Sequence, residues 1–307
     1  MHTLVNGTGR RLVLCALAAT ALLAGCDGGG RTAPPQPAAT TSATQQAWLG
    51  SHVNIGVKND QPGLNQKDNY HNSGFDYDLA MYLGKKMGFT PNLVDVPSDQ
   101  REEKLKNGDV QFVIASYSIT PERKAQVDFA GPYLKTSQAL LVRAGETRFT
   151  KPGDVAKKHI CTATGSTSAA GMASTALPTP DTLLAGSLYS RADFSTCVDD
   201  LRKGDQQADA VYTDAAVLYG FTQLFPGQLK VLPLTFGSIN YYGIGIQKGH
   251  RDVCRQVVQH LKAFLREEWM QRFHDNLPSI EDALPGRFAN EYRPDGNTEV
   301  DQYSSCS

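Results

Sequence analysis

Apolar and polar positions along this chain follow two periods in turn, and the periods predict its elements. VNIGVKND (53–60) reads as a strand that ends in polar residues. In GFDYDLAMYLGKKMGF (74–89), Phe75, Leu79, Tyr82, Leu83 and Met87 fall on one face at helical spacing. TPNLVDV (90–96) predicts a second strand, and REEKLKNG (101–108) a short charged helix stopped by Asn107 and Gly108. VQFVIAS (110–116) is apolar nearly throughout, as a parallel strand covered on both faces should be. Strand, helix, strand, helix, strand predicts an α/β, doubly wound sheet.

The later half repeats the idea. HICTATGSTSAAGMAS (159–174) reads as a strand, a glycine turn and a helix start. FSTCVDDLRKGDQQADAVYTDAAVLYGF (194–221) predicts helix, glycine turn, apolar strand, polar tip and helix. LKNGDVQFVIAS (105–116) and LRKGDQQADAVYTD (201–214) share the order helix, glycine stop, strand, polar cluster, which supports two similar lobes. RDVCRQVVQHLKAFLREEWMQRF (251–273) predicts one long helix with a buried stripe of Val253, Val257, Val258, Leu261, Phe264, Leu265 and Trp269. QALLVRAG (138–145) and YYGIGIQK (241–248) would cross between the lobes. The expected division is 51–142 for the first lobe, 143–239 for the second, 240–285 for the return and 286–307 for a tail.

Open sheets take ligands at the carboxyl ends of their strands, so the polar tips are the candidate chemistry. The strand 110–115 delivers Ser116, Ser118, Thr120 and Arg123 there. An arginine offers a fixed fork of donors suited to a carboxylate. TGSTS (164–168) is a glycine turn opening a helix, where free N–H groups favour an anion. YTDAA supplies Asp214, suited to an ammonium group. Guanidinium, amide donors and a carboxylate together fit an α-amino acid zwitterion. Each residue has a plainer reading: Arg123 as a surface partner of Glu122 or Asp128, Asp214 as a helix N-cap, and the hydroxyls of 164–168 as caps.

Composition narrows the classes. The 307 residues carry 30 basic and 31 acidic side chains, so no polybasic face points to nucleic acid. The seven histidines are scattered without metal spacing, and no cofactor or metal is expected. Arg10 and Arg11 precede an apolar run, LVLCALAATALLA (12–24), that reads as a secretory signal. LAGC (23–26) resembles the lipobox of bacterial lipoproteins, which implies cleavage after residue 25 and a lipid on Cys26. The Gly/Pro/Ser/Thr-rich stretch that follows, through about residue 50, reads as a tether. Cys161, Cys197, Cys254 and Cys306 remain, and four thiols in an exported chain predict two disulfides in one of three pairings.

GFDYDLA (74–80) and SITPERKAQVDFAGPY (118–133) also resemble two signatures of the solute-binding proteins of polar amino-acid ABC transporters. The resemblance spans roughly residues 54–269. NDQPG, CTATGSTS, TCVDDLRKG, VYTDAAVLYGF and YYGIGI look like the actinobacterial glutamate-binding lipoproteins within that family. It implies a two-lobed, type II periplasmic-binding-protein-like fold with two hinge crossings. It implies that Arg123 grips the α-carboxylate with Ser116, Ser118 and the turn Gly165, Ser166 and Thr167, while Asp214 takes the ammonium. Ser98 and Arg101, in PSDQRE, would hold a distal carboxylate, and Asn59 and Asp60 would add polar contacts. Pro62 and Gly63 stand where the family often has an aromatic wall, so Tyr117 or Tyr70 are the expected substitutes. The resemblance pairs Cys161 with Cys197, leaving Cys254 for Cys306. The implied partners are a free amino acid of the glutamate or aspartate class, an ABC permease and, through the lipid, the outer face of the membrane, with the protein a monomer. A membrane-anchored sensor would use the same site, and permease genes nearby would favour transport. An enzyme on this fold would need a general acid or base in the cleft, and Asp214 is the one obvious carboxylate.

Overall fold

The computed structural model describes residues 48–170, 187–204 and 207–307. The expected signal, the expected lipid attachment at Cys26 and most of the expected tether lie outside the described residues.

Twelve strands are described: β1 (His52–Val57), β2 (Asp60–Gln61), β3 (Asn65–Lys67), β4 (Asn72–Ser73), β5 (Thr90–Asp95), β6 (Phe112–Val113), β7 (Asp128–Arg143), β8 (Ile160–Ala163), β9 (Leu188–Arg191), β10 (Ala210–Asp214), β11 (Leu229–Val231) and β12 (Phe236–Ile246). The helices are α1 (Phe75–Met87), α2 (Arg101–Lys106), α3 (Pro121–Gln126), α4 (Thr167–Ala170), α5 (Phe194–Lys203), α6 (Ala215–Leu224), α7 (Arg251–Glu267), α8 (Trp269–Asn276), α9 (Pro278–Ala283), α10 (Phe288–Tyr292) and α11 (Thr298–Tyr303).

The main sheet runs β5-β1-β6-β12-β7-β10-β8-β9, with β11 added to β7. On one side β1 pairs in parallel with β5 and β6, and on the other β8 pairs in parallel with β10 and β9. The predicted α/β lobes are thus both present, joined into one path by the antiparallel pair β7 and β12. β7 extends back from the expected crossing at 138 to Asp128, so the crossing strand starts deep in the first lobe. The small antiparallel sheet β2-β3-β4 stands apart.

Hydrophobic burial follows the predicted faces. Phe75, Leu79, Tyr82 and Leu83 of α1 are buried, with Met87 packed at the edge. The motif residues beside them have structural tasks. Asp78 accepts from Asn276 (2.9 Å) and lies 3.7 Å from Arg272, tying α1 to α8. The expected long helix 251–273 is broken at Glu268, the junction of α7 and α8. The break lets Trp269 donate from Nε1 to the Tyr133 carbonyl (2.9 Å) and stack on Phe273 at 4.5 Å. That exchange of a helical turn for a satisfied, buried indole is invisible to periodicity.

Cys161 is bonded to Cys197, joining β8 to α5, and Cys254 to Cys306, joining α7 to the end of the chain. The tail is fastened further. Ser305 exchanges backbone hydrogen bonds with Phe129, and Ser307 reaches the buried Asp128. Tyr303 stacks on Tyr241 of β12 at 4.2 Å.

Candidate functional site

The strand tips of both lobes converge on a narrow cleft lined by Ser98, Arg101, Ser116, Ser118, Ser166, Thr167, Phe194, Thr213, Asp214 and Val217. The first lobe contributes through a strained turn. Ser116 has φ +45°, a left-handed backbone that non-glycine residues rarely adopt. Its N–H donates to Oδ2 of the fully buried Asp76 (2.8 Å), the first aspartate of the GFDYDLA motif. Burial pushes the Asp76 carboxyl up to about 6, opposed by that N–H.

Arg123 is 9% exposed and is not among the lining residues; it sits behind them, bonded to the carbonyls of Ser118 and of Gly165 in the turn that carries Ser166 and Thr167. Its Nε donates to Glu102 Oε1 (2.9 Å) and its Nη1 to the Ser118 carbonyl (2.9 Å). Its Nη2 reaches across to the Gly165 carbonyl of the second lobe (3.2 Å). The plainer reading named the wrong partners: Asp128 is held by Lys248 and Ser307, and the carboxylate on Arg123 is Glu102. Burial would raise Glu102, but the Arg123 charge, its own backbone N–H, the Tyr117 hydroxyl and the Arg101 charge together hold it below the usual carboxylate range.

Arg101 is 3% exposed. Its Nε donates to the Ser98 carbonyl (3.1 Å) and its Nη1 to the Ala115 carbonyl (3.0 Å), which fixes the fork of a residue that lines the cleft. Burial, then repulsion from Arg123, pulls its pKa down to about 10, so it stays charged at neutral pH. Both guanidinia lie over the buried Tyr117 ring, at 4.6 Å and 4.8 Å. Tyr117 is therefore a shelf under the cations. Tyr70, the other expected wall, is 85% exposed. The apolar lining comes instead from Phe194 and Val217, at the starts of α5 and α6.

In the second lobe the turn Gly165–Thr167 closes β8 into α4. Gly165 has φ +73°, and a Cβ there would meet the Asp99 backbone at 2.5 Å, so glycine is required by conformation and by contact with the other lobe. Thr167 Oγ1 meets Ser118 Oγ at 3.3 Å across the cleft. The Ser166 hydroxyl is used inside its own turn, donating to the Ala163 carbonyl (2.6 Å) and accepting from Ala169 N–H (3.1 Å).

Asp214 ends β10. Its side chain makes no cap to α6, although it occupies the N-cap position. The Thr136 hydroxyl accepts from Ala216 N–H instead (3.2 Å). Asp214 accepts from Asn240 Nδ2 and Tyr242 Oη, each at 2.6 Å. Burial raises its carboxyl to about 6, opposed by those two donors and by Arg123 and Arg101.

Asp60 is occupied elsewhere. It pairs with the buried Lys58 (3.1 Å) and accepts from Phe194 N–H (2.9 Å), while Asn59 Oδ1 accepts from Asn65 and Asn72. Sequence reasoning missed Phe194, Thr213 and Val217. The strand-tip rule could have reached Thr213, the neighbour of Asp214, but no local pattern marks the other two.

The profile of the bacterial extracellular solute-binding proteins, family 3, matches residues 53–276. Glutamate-binding protein GluB of Corynebacterium efficiens is 34% identical over 253 residues, covering 76% of this chain and 83% of that protein. The glutamine-binding protein of Geobacillus stearothermophilus is 31% identical over 259 residues, 80% of this chain and 94% of that one. The solved structure of an ancestral arginine-binding protein bound to glutamine superposes with a TM-score of 0.65 at 28% identity, covering 74% of this chain and 97% of that chain. A membrane-bound lytic murein transglycosylase F of Pseudomonas savastanoi matches 55% of this chain at 28% identity but only 34% of its own length.

Proposed function

The chain belongs to the bacterial extracellular solute-binding proteins of family 3, and on that premise we propose that it captures an acidic amino acid, glutamate or aspartate, for an ABC permease. The observation that carries this reading is the meeting of the buried Arg101 guanidinium and the buried Asp214 carboxylate in the cleft lining, with the Arg123 guanidinium behind it, bonded to the Ser118 and Gly165 carbonyls and acting electrostatically on Asp214. A dicarboxylic α-amino acid has the complementary set of two carboxylates and one ammonium. Arg123, with Ser116, Ser118 and the 165–167 turn, takes the α-carboxylate, Asp214 the ammonium, and Arg101 with Ser98 the distal carboxylate. An arginine ligand would set its own guanidinium against Arg101, and glutamine would leave that charge without a counter-ion. No bond is made or broken; closure of the lobes around the ligand is the working step. Reading the protein as a binder rather than an enzyme rests on relatives named as binding proteins, which match over most of their length. The protein acts as a monomer held to the membrane by a lipid on Cys26, and Cys26→Ser should release it.

The test is calorimetric titration of protein unfolded, freed of ligand and refolded, against glutamate, aspartate, glutamine, asparagine and arginine. Glutamate or aspartate should bind most tightly, one per chain. Preference for glutamine or arginine would move the ligand class, and no binding to any of them would overturn the reading.

A further inference from the structure

Both oxygens of the Asp214 carboxylate are held by residues of β12, the strand that returns between the lobes. Asn240 and Tyr242 are two apart and so share a face of that strand. One donates to Oδ1 and the other to Oδ2. The same short segment holds the first lobe's turn. Ile119 N–H donates to the Tyr241 carbonyl (2.8 Å) and Gly243 N–H to the Tyr117 carbonyl (2.9 Å), bracketing Ser118. Ser118 in turn supplies the carbonyl that orients Arg123. Four consecutive residues, 240–243, therefore brace the carboxylate of one lobe and the arginine-bearing turn of the other.

We propose that Tyr242 and Asn240 are positioning residues of the ammonium site, through which one crossing strand sets the charge and aim of Asp214 against the Ser118 turn. This rests on the reading of Asp214 given above and goes beyond it. A carboxylate desolvated to this degree tends to keep its proton, and a protonated Asp214 offers an ammonium no counter-charge. Two donated hydrogen bonds favour the ionised form. Tyr242 is suited to donating. It is fully buried, with its ring 6.0 Å from Tyr133, and burial, then the Asp214 charge, hold its hydroxyl protonated far above the ordinary range. The other groups acting on Asp214 are the cations Arg123 and Arg101 from the first lobe, and its charge reaches Tyr292 of α10.

Tyr242→Phe keeps the ring and removes the donor, and Asn240→Ala removes the second donor independently. Carboxyl carbon NMR of aspartate-labelled, ligand-free protein, assigned with Asp214→Asn, reads Asp214 directly. Losing one hydrogen bond to a charged group should favour the protonated form about tenfold, moving the titration up by about one pH unit. The low-pH limb of glutamate affinity should move up with it, while affinity well above that limb changes less. If either folded variant leaves the Asp214 titration where it is in the original protein, its donor has no positioning role and the proposal fails for that residue. Should the original protein bind no amino acid, the proposed function fails, yet the NMR titration still decides whether β12 sets the ionisation of Asp214.

Discussion

The Asp60 carboxylate of the first lobe accepts the backbone N–H of Phe194, the first residue of α5 in the second lobe, at 2.9 Å. Ser195 N–H follows at 3.4 Å. An acidic group at a helix N-terminus satisfies free donors and complements the helix dipole, and here the acid and the helix belong to different lobes. Parting the lobes would break this contact, so Asp60 is expected to act as a latch. Asp60→Ala should weaken every amino-acid ligand by a similar factor, worth ~0.5–2 kcal/mol on the scale of lost caps, chiefly by faster release. Stopped-flow dissociation rates for glutamate and glutamine check this. A change in the ranking of the two ligands would make Asp60 a ligand contact instead.

Residues with a strong local period were readable from the chain: the stripe of α1 and the glycine stops appear where pattern placed them, while the strand expected over 110–116 pairs only at Phe112–Val113, its apolar residues 110 and 112–115 all buried. Ser116, Ser118 and Asp214, which line the cleft, were readable as residues at or just beyond strand tips, because sheet topology sends such tips to one end, whereas Arg123 stands on α3 behind that lining. What escaped depends on partners distant in sequence. Asp60 finds Phe194 across 134 residues, and Glu102 finds Arg123 across 21. The break at Glu268 follows from an indole seeking the Tyr133 carbonyl, 136 positions away. No periodicity carries those relations.

In the proposed function Arg101 is the residue that sets the charge preference. Arg101→Ala should cost glutamate ~2–5 kcal/mol of affinity, the range for truncating one partner of a desolvated charge pair, and should cost glutamine far less. Parallel calorimetric titrations of both ligands measure the difference. Equal losses would place the side-chain pocket elsewhere.

Asp76 and Asp214 make the ligand-free protein more stable in mild acid. Both carboxyls are raised to about 6 in the folded protein from an ordinary value of 3.8. Between those values the folded chain holds protons that the unfolded chain has released, so this contribution is complete below about pH 4 and is lost as pH rises through 6. Each is worth on the order of 3 kcal/mol across that range. Urea unfolding of the original protein and Asp214→Asn at pH 5 and 7 isolates one of them. The variant should gain relative stability at pH 7, and a difference independent of pH would contradict the assignment.

The Cys161–Cys197 bond, spanning 36 positions, joins the strand leading to the Gly165 turn with the helix that Asp60 latches. Replacing both cysteines by alanine should cost ~3–4 kcal/mol in the chain-entropy account. An unchanged urea midpoint would refute that cost.

Arg123 is the group every α-amino acid should meet, whatever its side chain. Arg123→Lys keeps the charge and loses the planar fork that Glu102, Ser118 and Gly165 now hold, and Arg123→Ala loses both. Calorimetric titration of the three refolded proteins with glutamate, after circular dichroism shows each to be folded, is the most direct measurement. Affinity should fall in the order Arg, Lys, Ala, with the alanine variant weaker by at least ~2 kcal/mol. Near-original affinity in folded Arg123→Ala would mean that the arginine serves only Glu102 and the closed lobes, and that the cleft is not an amino-acid site of the kind described.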